Sequence, residues 1–274
     1  MKTTMNTRRP LLMIVTMVMS LGLTISSTAQ LFDPVSEVMH IGLYGTYDQR
    51  YLNASFAELP QVPSCCQEYS DVTKGGYTIG LLTEFPVSPV VAPTARVFYT
   101  QLGGSFTADE QKWVYNGTQD SYLGTFRHTI DATVHALYVE PGVRVSAYKG
   151  WTIGLGLQVG YILSSQYAQR EEIASPQSIT YQDGSTVRNV QSGDALPAVQ
   201  PWQFAINIGT GYDFAFASLP NLTLGPELNY SYSFTNIVEG IDWTTNSLRF
   251  GIAVRYAILR PARATLQTNI GEEP

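Results

Sequence analysis

Ser247-Leu248-Arg249-Phe250-Gly251-Ile252-Ala253-Val254-Arg255-Tyr256-Ala257-Ile258 is the stretch on which the fold turns. Leu248, Phe250, Ile252, Val254, Tyr256 and Ile258 take one face of an extended chain; Ser247, Arg249, Gly251, Ala253, Arg255 and Ala257 take the other. The alternation runs about twice as long as the ~5–6 residues of an ordinary globular strand. One face apolar and the other made of small, polar and charged residues is the pattern of a strand that meets lipid outside and a filled lumen inside.

Working outward, the same rhythm recurs from about Met39, with strands at roughly 38–50, 75–86, 94–106, 126–147, 151–166, 200–216, 222–235 and 245–258. The predicted fold is all-β: an eight-stranded antiparallel up-and-down transmembrane β-barrel. Connections alternate in length. Pro86 to Pro93, Lys149-Gly150 and Ser218-Leu219-Pro220-Asn221 are tight; 51–74, 107–125, 167–199 and 236–244 are longer. Short turns on one side and long loops on the other match outer-membrane barrels, and an even strand number then puts both termini in the periplasm. In the third loop, Tyr181 and Asp183-Gly184 carry the residues of a small hairpin, set against a polar apron.

Before the strands, Lys2, Arg8 and Arg9 precede an apolar run from Leu11 to Leu23, and Ser27-Thr28-Ala29 offers a cleavage site. Residues 1–29 therefore read as an export signal, 30–259 as the barrel and 260–274 as a short polar periplasmic tail. Removing the three basic signal residues takes the formal charge from −6 to −9. An acidic mature chain without a Lys/Arg run excludes nucleic acid as the expected partner.

The topology places aromatics at two levels. Tyr47, Tyr77, Tyr161, Trp202, Tyr230, Tyr232 and Phe250 fall at the outer level; Phe85, Trp151, Phe214, Phe216 and Tyr256 fall at the inner one. Girdles of this kind mark the two membrane interfaces. On the opposite parity lie Glu84, Arg96, Glu140, Arg144, Asp213, Glu227, Arg249 and Arg255, four acids against four arginines. Inside a lumen narrow enough to be filled by side chains, these should pair as a structural plug, with Glu227–Arg255 and Glu84–Arg96 as the expected neighbours. A proton or ion path is the alternative use of the same residues. On strand three, Phe98 and Leu102 compete with Val97 and Tyr99 for the outer face.

Chemistry-bearing residues are few. Cys65 and Cys66 are adjacent in the first long loop, where a vicinal disulfide, bonds to another chain, and free thiols or metal ligands all stay open. His128, Asp131 and His135 crowd one strand, yet alternation sends His128 to one face and the other two to the opposite face. No nucleophile motif accompanies them, so an enzyme is not expected, and neither a cofactor nor a metal site is read.

The chain resembles the small outer-membrane barrels of the OmpA-like and PorT-like type found in Bacteroidetes and Chlorobi-type bacteria. The resemblance rests on Ile41-Gly42-Leu43-Tyr44-Gly45, the Leu59–Cys66 stretch, Phe126-Arg127-His128-Thr129-Ile130, Ile241-Asp242-Trp243 and Leu248-Arg249-Phe250-Gly251. Many relatives continue into a peptidoglycan-binding domain, which residues 260–274 do not resemble. The resemblance implies an outer-membrane address, lipid and the barrel-assembly machinery as partners, and no catalytic residues. The function expected is structural or surface interaction through the long loops, with an extracellular ligand or protein as partner. A narrow channel or secretion accessory, and a rim hydrolase, are the alternatives.

Overall fold

The computed structural model describes residues 37–60, 68–115, 121–176 and 179–259, all within the compact unit Ser36–Pro274. The segments read as export signal (1–29) and tail (260–274), and Cys65 with Cys66, lie outside the described residues. Among the described residues there are eleven strands: β1 (Glu37–Ser55), β2 (Val72–Glu84), β3 (Val91–Gln101), β4 (Ser105–Tyr115), β5 (Ser121–Tyr148), β6 (Trp151–Ser175), β7 (Val187–Ala195), β8 (Trp202–Tyr212), β9 (Phe214–Phe216), β10 (Leu219–Ser233) and β11 (Asp242–Leu259).

Eight of these close a ring of antiparallel neighbours in the order β1, β2, β3, β5, β6, β8, β10 and β11, which returns to β1. The closing ladder is long, running from Glu37↔Leu259 to Ser55↔Asp242. Closure is the physical requirement here, because hydrocarbon offers no partner to an open edge. β9 continues the wall beside β10 after a break at Asp213. At the tight end, Lys149 and Gly150 join β5 to β6 with φ of 40° and 90°, the left-handed pair of a two-residue hairpin turn.

The predicted lipid parity holds. All seven outer-level and all five inner-level aromatics are exposed on the outside of the ring. Tyr47 stands opposite both Tyr77 and Phe250 in register, and Tyr161 meets Trp202 edge to face at 5.2 Å. Trp151 and Tyr161 bracket the apolar run of β6; at ~3.3 Å per residue and a ~40° tilt their separation along the membrane normal is about 25 Å, the height of a barrel's apolar band.

Inside, the residues form layers. Strand three resolves with Phe98 inward and Val97 outward. Phe98 stacks on Tyr138 at 5.2 Å and meets Tyr44 at 6.2 Å, a belt of rings across the mid-lumen. Gly160 and Gly80 make the belt fit: a Cβ on Gly160 would enter the Tyr138 ring, and one on Gly80 would sit 2.6 Å from the Phe98 Cβ. Above the belt, Asp48 accepts hydrogen bonds from Thr46 at 2.6 Å and Thr78 at 2.5 Å. Arg50 donates to the Gly75 carbonyl at 2.6 Å.

At the end that carries the long connections, the segment 107–125, read as a loop, is largely the β4–β5 hairpin. In the third loop the hairpin at Tyr181 and Asp183-Gly184 is present: β6 continues and returns as β7 through a turn at Tyr181–Ser185. Beneath these extensions, Leu52, Phe56, Leu59, Tyr69, Leu102, Phe106, Ile237, Val238 and Trp243 form one buried cluster. Phe106 stands edge to face with Trp243 at 5.0 Å and Phe56 packs on Tyr69 at 5.2 Å. This apolar cluster fills the end of the ring that carries the long connections.

Leu157 is exposed on the outer face between the two girdles. Leu157→Arg should cost about 2–4 kcal/mol, the usual penalty for arginine near the bilayer midplane. Reversible unfolding in lipid, followed by the heat-dependent shift on electrophoresis, measures it.

Candidate functional site

Facing hydrocarbon with an ionised side chain is expensive, so the charges on the barrel strands turn inward and must neutralise one another there. Glu84 on β2 takes Arg255 at 2.8 Å and Arg144 at 2.6 Å, with His40 Nδ1 3.4 Å away. Asp213 takes Arg255 at 3.2 Å and is also paired with Arg144. Glu227 on β10 pairs with Arg96 at 3.1 Å and with Arg255. Arg255 therefore touches three carboxylates, and the network crosses the lumen from wall to wall.

The geometry brings Glu227 and Arg255 together but separates Glu84 from Arg96. In register, Glu84 lies opposite Thr94 and Arg96 opposite Leu82, so the two are diagonal neighbours. Arg96 instead reaches across the lumen to Glu227, passing 5.1 Å from the Tyr44 ring, while the nearer arginines occupy Glu84. Glu140 has no arginine within ion-pair distance; it accepts hydrogen bonds from Gln158 and from Asn207 at 3.2 Å. Arg249 donates to Ser231 and to Ser247 at 3.2 Å, with its guanidinium 5.1 Å from the Phe98 ring.

Asp48 and Arg50 join this interior without having been singled out from the sequence. They share the parity of Tyr44 and Thr46 and lie within the predicted strand 38–50, so carrying the inward parity to the end of that strand finds them. Two small cavities remain. One of about 30 Å³ lies among Thr94, Arg96, Glu140, Arg144, Glu227 and Asn229. The other, about 20 Å³, lies beside Phe98, Tyr138 and Arg249. Each has room for about one or two waters.

Toward the end that carries the long connections, His128, Asp131 and His135 do not converge. His128 is buried with Nε2 3.5 Å from Glu110, Asp131 is exposed, and His135 stacks outside on Tyr99, whose hydroxyl meets its Nδ1 at 2.5 Å. Among the described residues no group of three or more His, Cys, Asp or Glu side chains is placed to hold a metal ion. Above the membrane, Glu171 ties β6 to β7 by accepting from Arg188 at 2.6 Å, Asn189 at 2.8 Å and the Tyr181 hydroxyl at 3.3 Å. Burial pushes the Glu171 carboxyl up, but the hydrogen bond and charge of Arg188 outweigh it, and the group titrates below the ordinary carboxylate range.

The family model described as outer membrane protein beta-barrel domain matches residues 21–239. No curated protein sequence matches the chain. Among solved structures, the chain is similar to Ail, the attachment invasion locus protein of Yersinia pestis, at 11% identity and a TM-score of 0.37, over 80% of this chain and 99% of that one. It is also similar to Neisserial surface protein A at 10% identity and 0.35, over 80% and 97%. Outer membrane protease OmpT from Escherichia coli follows at 9% identity and 0.27, over 82% and 98%.

Two outcomes are expected. Arg255→Met leaves Glu84 and Glu227 with one arginine fewer in a buried site and should cost about 3–5 kcal/mol, read by unfolding in lipid. For Glu171, the folded pKa lies below the unfolded value of about 4.3, so its contribution is complete above that value and is lost as pH falls through the folded one. Hydrogen-exchange protection of the β6–β7 hairpin, relative to the intrinsic rate at each pH, should therefore fall on acidification below about pH 4, and Glu171→Gln should flatten that dependence.

Proposed function

The chain belongs to the outer membrane protein beta-barrel domain family, and on that premise we propose that it is a sealed, non-enzymatic barrel that holds an extracellular β-sheet out from the bacterial outer membrane as an interaction surface. The observation that carries the reading is the filling of the lumen at successive depths. The ion-pair network crosses the interior, the Tyr44–Phe98–Tyr138 belt and the Phe56–Phe106–Trp243 cap pack within it at other depths, and the Asp48 hydroxyl cluster lines it on β1, β2 and β3. The cavities of about 30 and 20 Å³ within it each have room for only one or two waters.

The remainder of the reading follows from this closure. The short-turn side with both chain ends faces the periplasm, the barrel-assembly machinery inserts the chain, and outer-membrane lipid surrounds the exposed wall. An extracellular ligand or protein meets the strands that rise above the outer girdle. Enzymatic activity has little support, since His128 is enclosed and His135 faces the outside. A channel or secretion accessory of the PorT-like kind is the competing use, and it requires the cap and the Arg255 contacts to open together.

Planar-bilayer recording on the folded protein decides between them. We expect no single-channel events from barrels that show the folded electrophoretic mobility. Reproducible openings whose selectivity changes with Glu227→Gln would overturn the sealed reading in favour of transport.

A further inference from the structure

We propose that the lumen holds one monatomic anion, a halide such as chloride, in the cavity beside Arg50 and Arg249. The proposal goes beyond the sealed-barrel reading and rests on it only for the ion being trapped rather than in transit. Its basis is a charge that the interior leaves over. Glu84, Asp213 and Glu227 take up Arg96, Arg144 and Arg255. Arg50 and Arg249 are also buried, at 2% and 6% exposure, yet among the described residues neither has a carboxylate within ion-pair distance.

The neighbouring acids do not neutralise them. Asp48 stands opposite Arg249 in register, but its carboxylate turns to the hydroxyls of Thr46 and Thr78, at 2.6 and 2.5 Å. Counted in full, it sets one negative charge against two guanidiniums. Glu140 lies on the other side of the aromatic belt, opposite Arg96 in register, where Gln158 and Asn207 hold it. Burying an uncompensated charge is costly, so the surplus calls for a counter-ion.

Unspent donors belong to residues that line the cavity. Its volume is about 20 Å³, and Arg50, Thr100, Ser231, Thr245, Ser247 and Arg249 are among its walls. Arg50 gives Nη2 to the Gly75 carbonyl at 2.6 Å and Nη1 to that of Gly103 at 3.4 Å, while its Nε is buried without a partner. Arg249 gives Nε to Ser247 at 3.2 Å and Nη2 to Ser231, and its Nη1 has no partner among the described residues. Ser247 faces Arg50 in register and, accepting from Arg249, keeps its own proton to give. The Phe98 ring, 5.1 Å from the Arg249 guanidinium, offsets part of that charge. An anion seated here receives Arg50 Nε–H, Arg249 Nη1–H and Ser247 O–H, tying β1 to β11 inside the closing seam. The volume selects the class. A chloride ion, little larger than a water, fits where one or two waters would, and phosphate, sulfate or a carboxylate ligand does not. A water alone satisfies the donors and leaves the charge.

Bromide, which scatters anomalously, is the probe. Protein refolded and crystallised in bromide should show an anomalous peak in the lumen beside Arg50, Ser247 and Arg249. An empty or water-filled cavity, with peaks on the outer surface only, means adventitious ions only and overturns the proposal. In solution, unfolding of the protein in lipid is followed at constant ionic strength as chloride replaces gluconate, which is too large for the cavity. Above saturation, each tenfold rise in chloride should lower the unfolding constant about tenfold. Arg249→Gln removes the surplus charge and should abolish both the peak and that dependence. Ser247→Ala, a milder change, should keep the fold and raise the saturating chloride concentration about tenfold. No chloride dependence in the unsubstituted protein, or an unaltered dependence in either variant, overturns it. Conductance is read separately: openings in planar bilayers sink the sealed-barrel reading, whereas the peak and the chloride dependence decide the site.

Discussion

Everything in this molecule depends on one constraint: within hydrocarbon, neither an ionised side chain nor an unpaired backbone group finds a partner. The first half of the constraint fixes which parity of each strand faces outward. The second forces β1 onto β11, joining the two ends of the described chain in one continuous ladder. Once both hold, every charge on the wall is delivered to a lumen of eight-strand width, where it must find a counter-charge or a hydrogen bond. The Arg255 cluster is therefore a consequence of the membrane as much as a feature of the lumen. Replacing such pairs with apolar side chains is often neutral in a soluble core. Here, in addition, they match the length of arginine to the width of the lumen, as Arg96 shows by reaching Glu227 from the opposite wall.

Ring packing solves the problem that ion pairs leave. Charged groups hold water, and a column of them alone would invite a hydrated path. The Phe98–Tyr138 stack interrupts that column, and it exists because Gly160 and Gly80 yield the volume their side chains would have taken. The flanking guanidiniums of Arg96 and Arg249 lie about one ring-width from Tyr44 and Phe98, so the belt is coupled to the ion network rather than inserted beside it.

Much of this was legible in the sequence because the barrel writes its geometry with a period of two. Strand number, girdle residues and the inward set of charges all follow from parity alone. What parity does not carry is distance across the lumen, which is why Glu84 and Arg96 seemed natural neighbours while the structure pairs each with a residue farther along the chain. Strand ends were also hidden. The alternation weakens where neither face meets lipid, so most of Ser105–Tyr115 reads as a loop, and around Val187–Ala195 the sequence leaves a hairpin and a polar apron both open. The cap was hidden for a related reason: Phe56, Tyr69, Phe106 and Trp243 come from four distant segments, and each alone reads as an isolated aromatic in a connection.

On the interaction-surface reading proposed above, the same constraint places recognition beyond the outer girdle. In the bilayer the wall must be closed and its lumen filled, so sequence there serves insertion and sealing. Beyond the outer girdle water satisfies backbone groups, the ring is free to open, and β4 and β7 become edges. Edges in water carry a cost of another kind, since an unprotected one recruits strands indiscriminately. Two bulges disarm β7, and the Glu171–Arg188–Asn189 contacts hold it in that irregular form. β4 pairs without a bulge along its described length, and its outer face ends in an exposed tryptophan. The two edges are therefore not equivalent: one is blunted and the other runs straight.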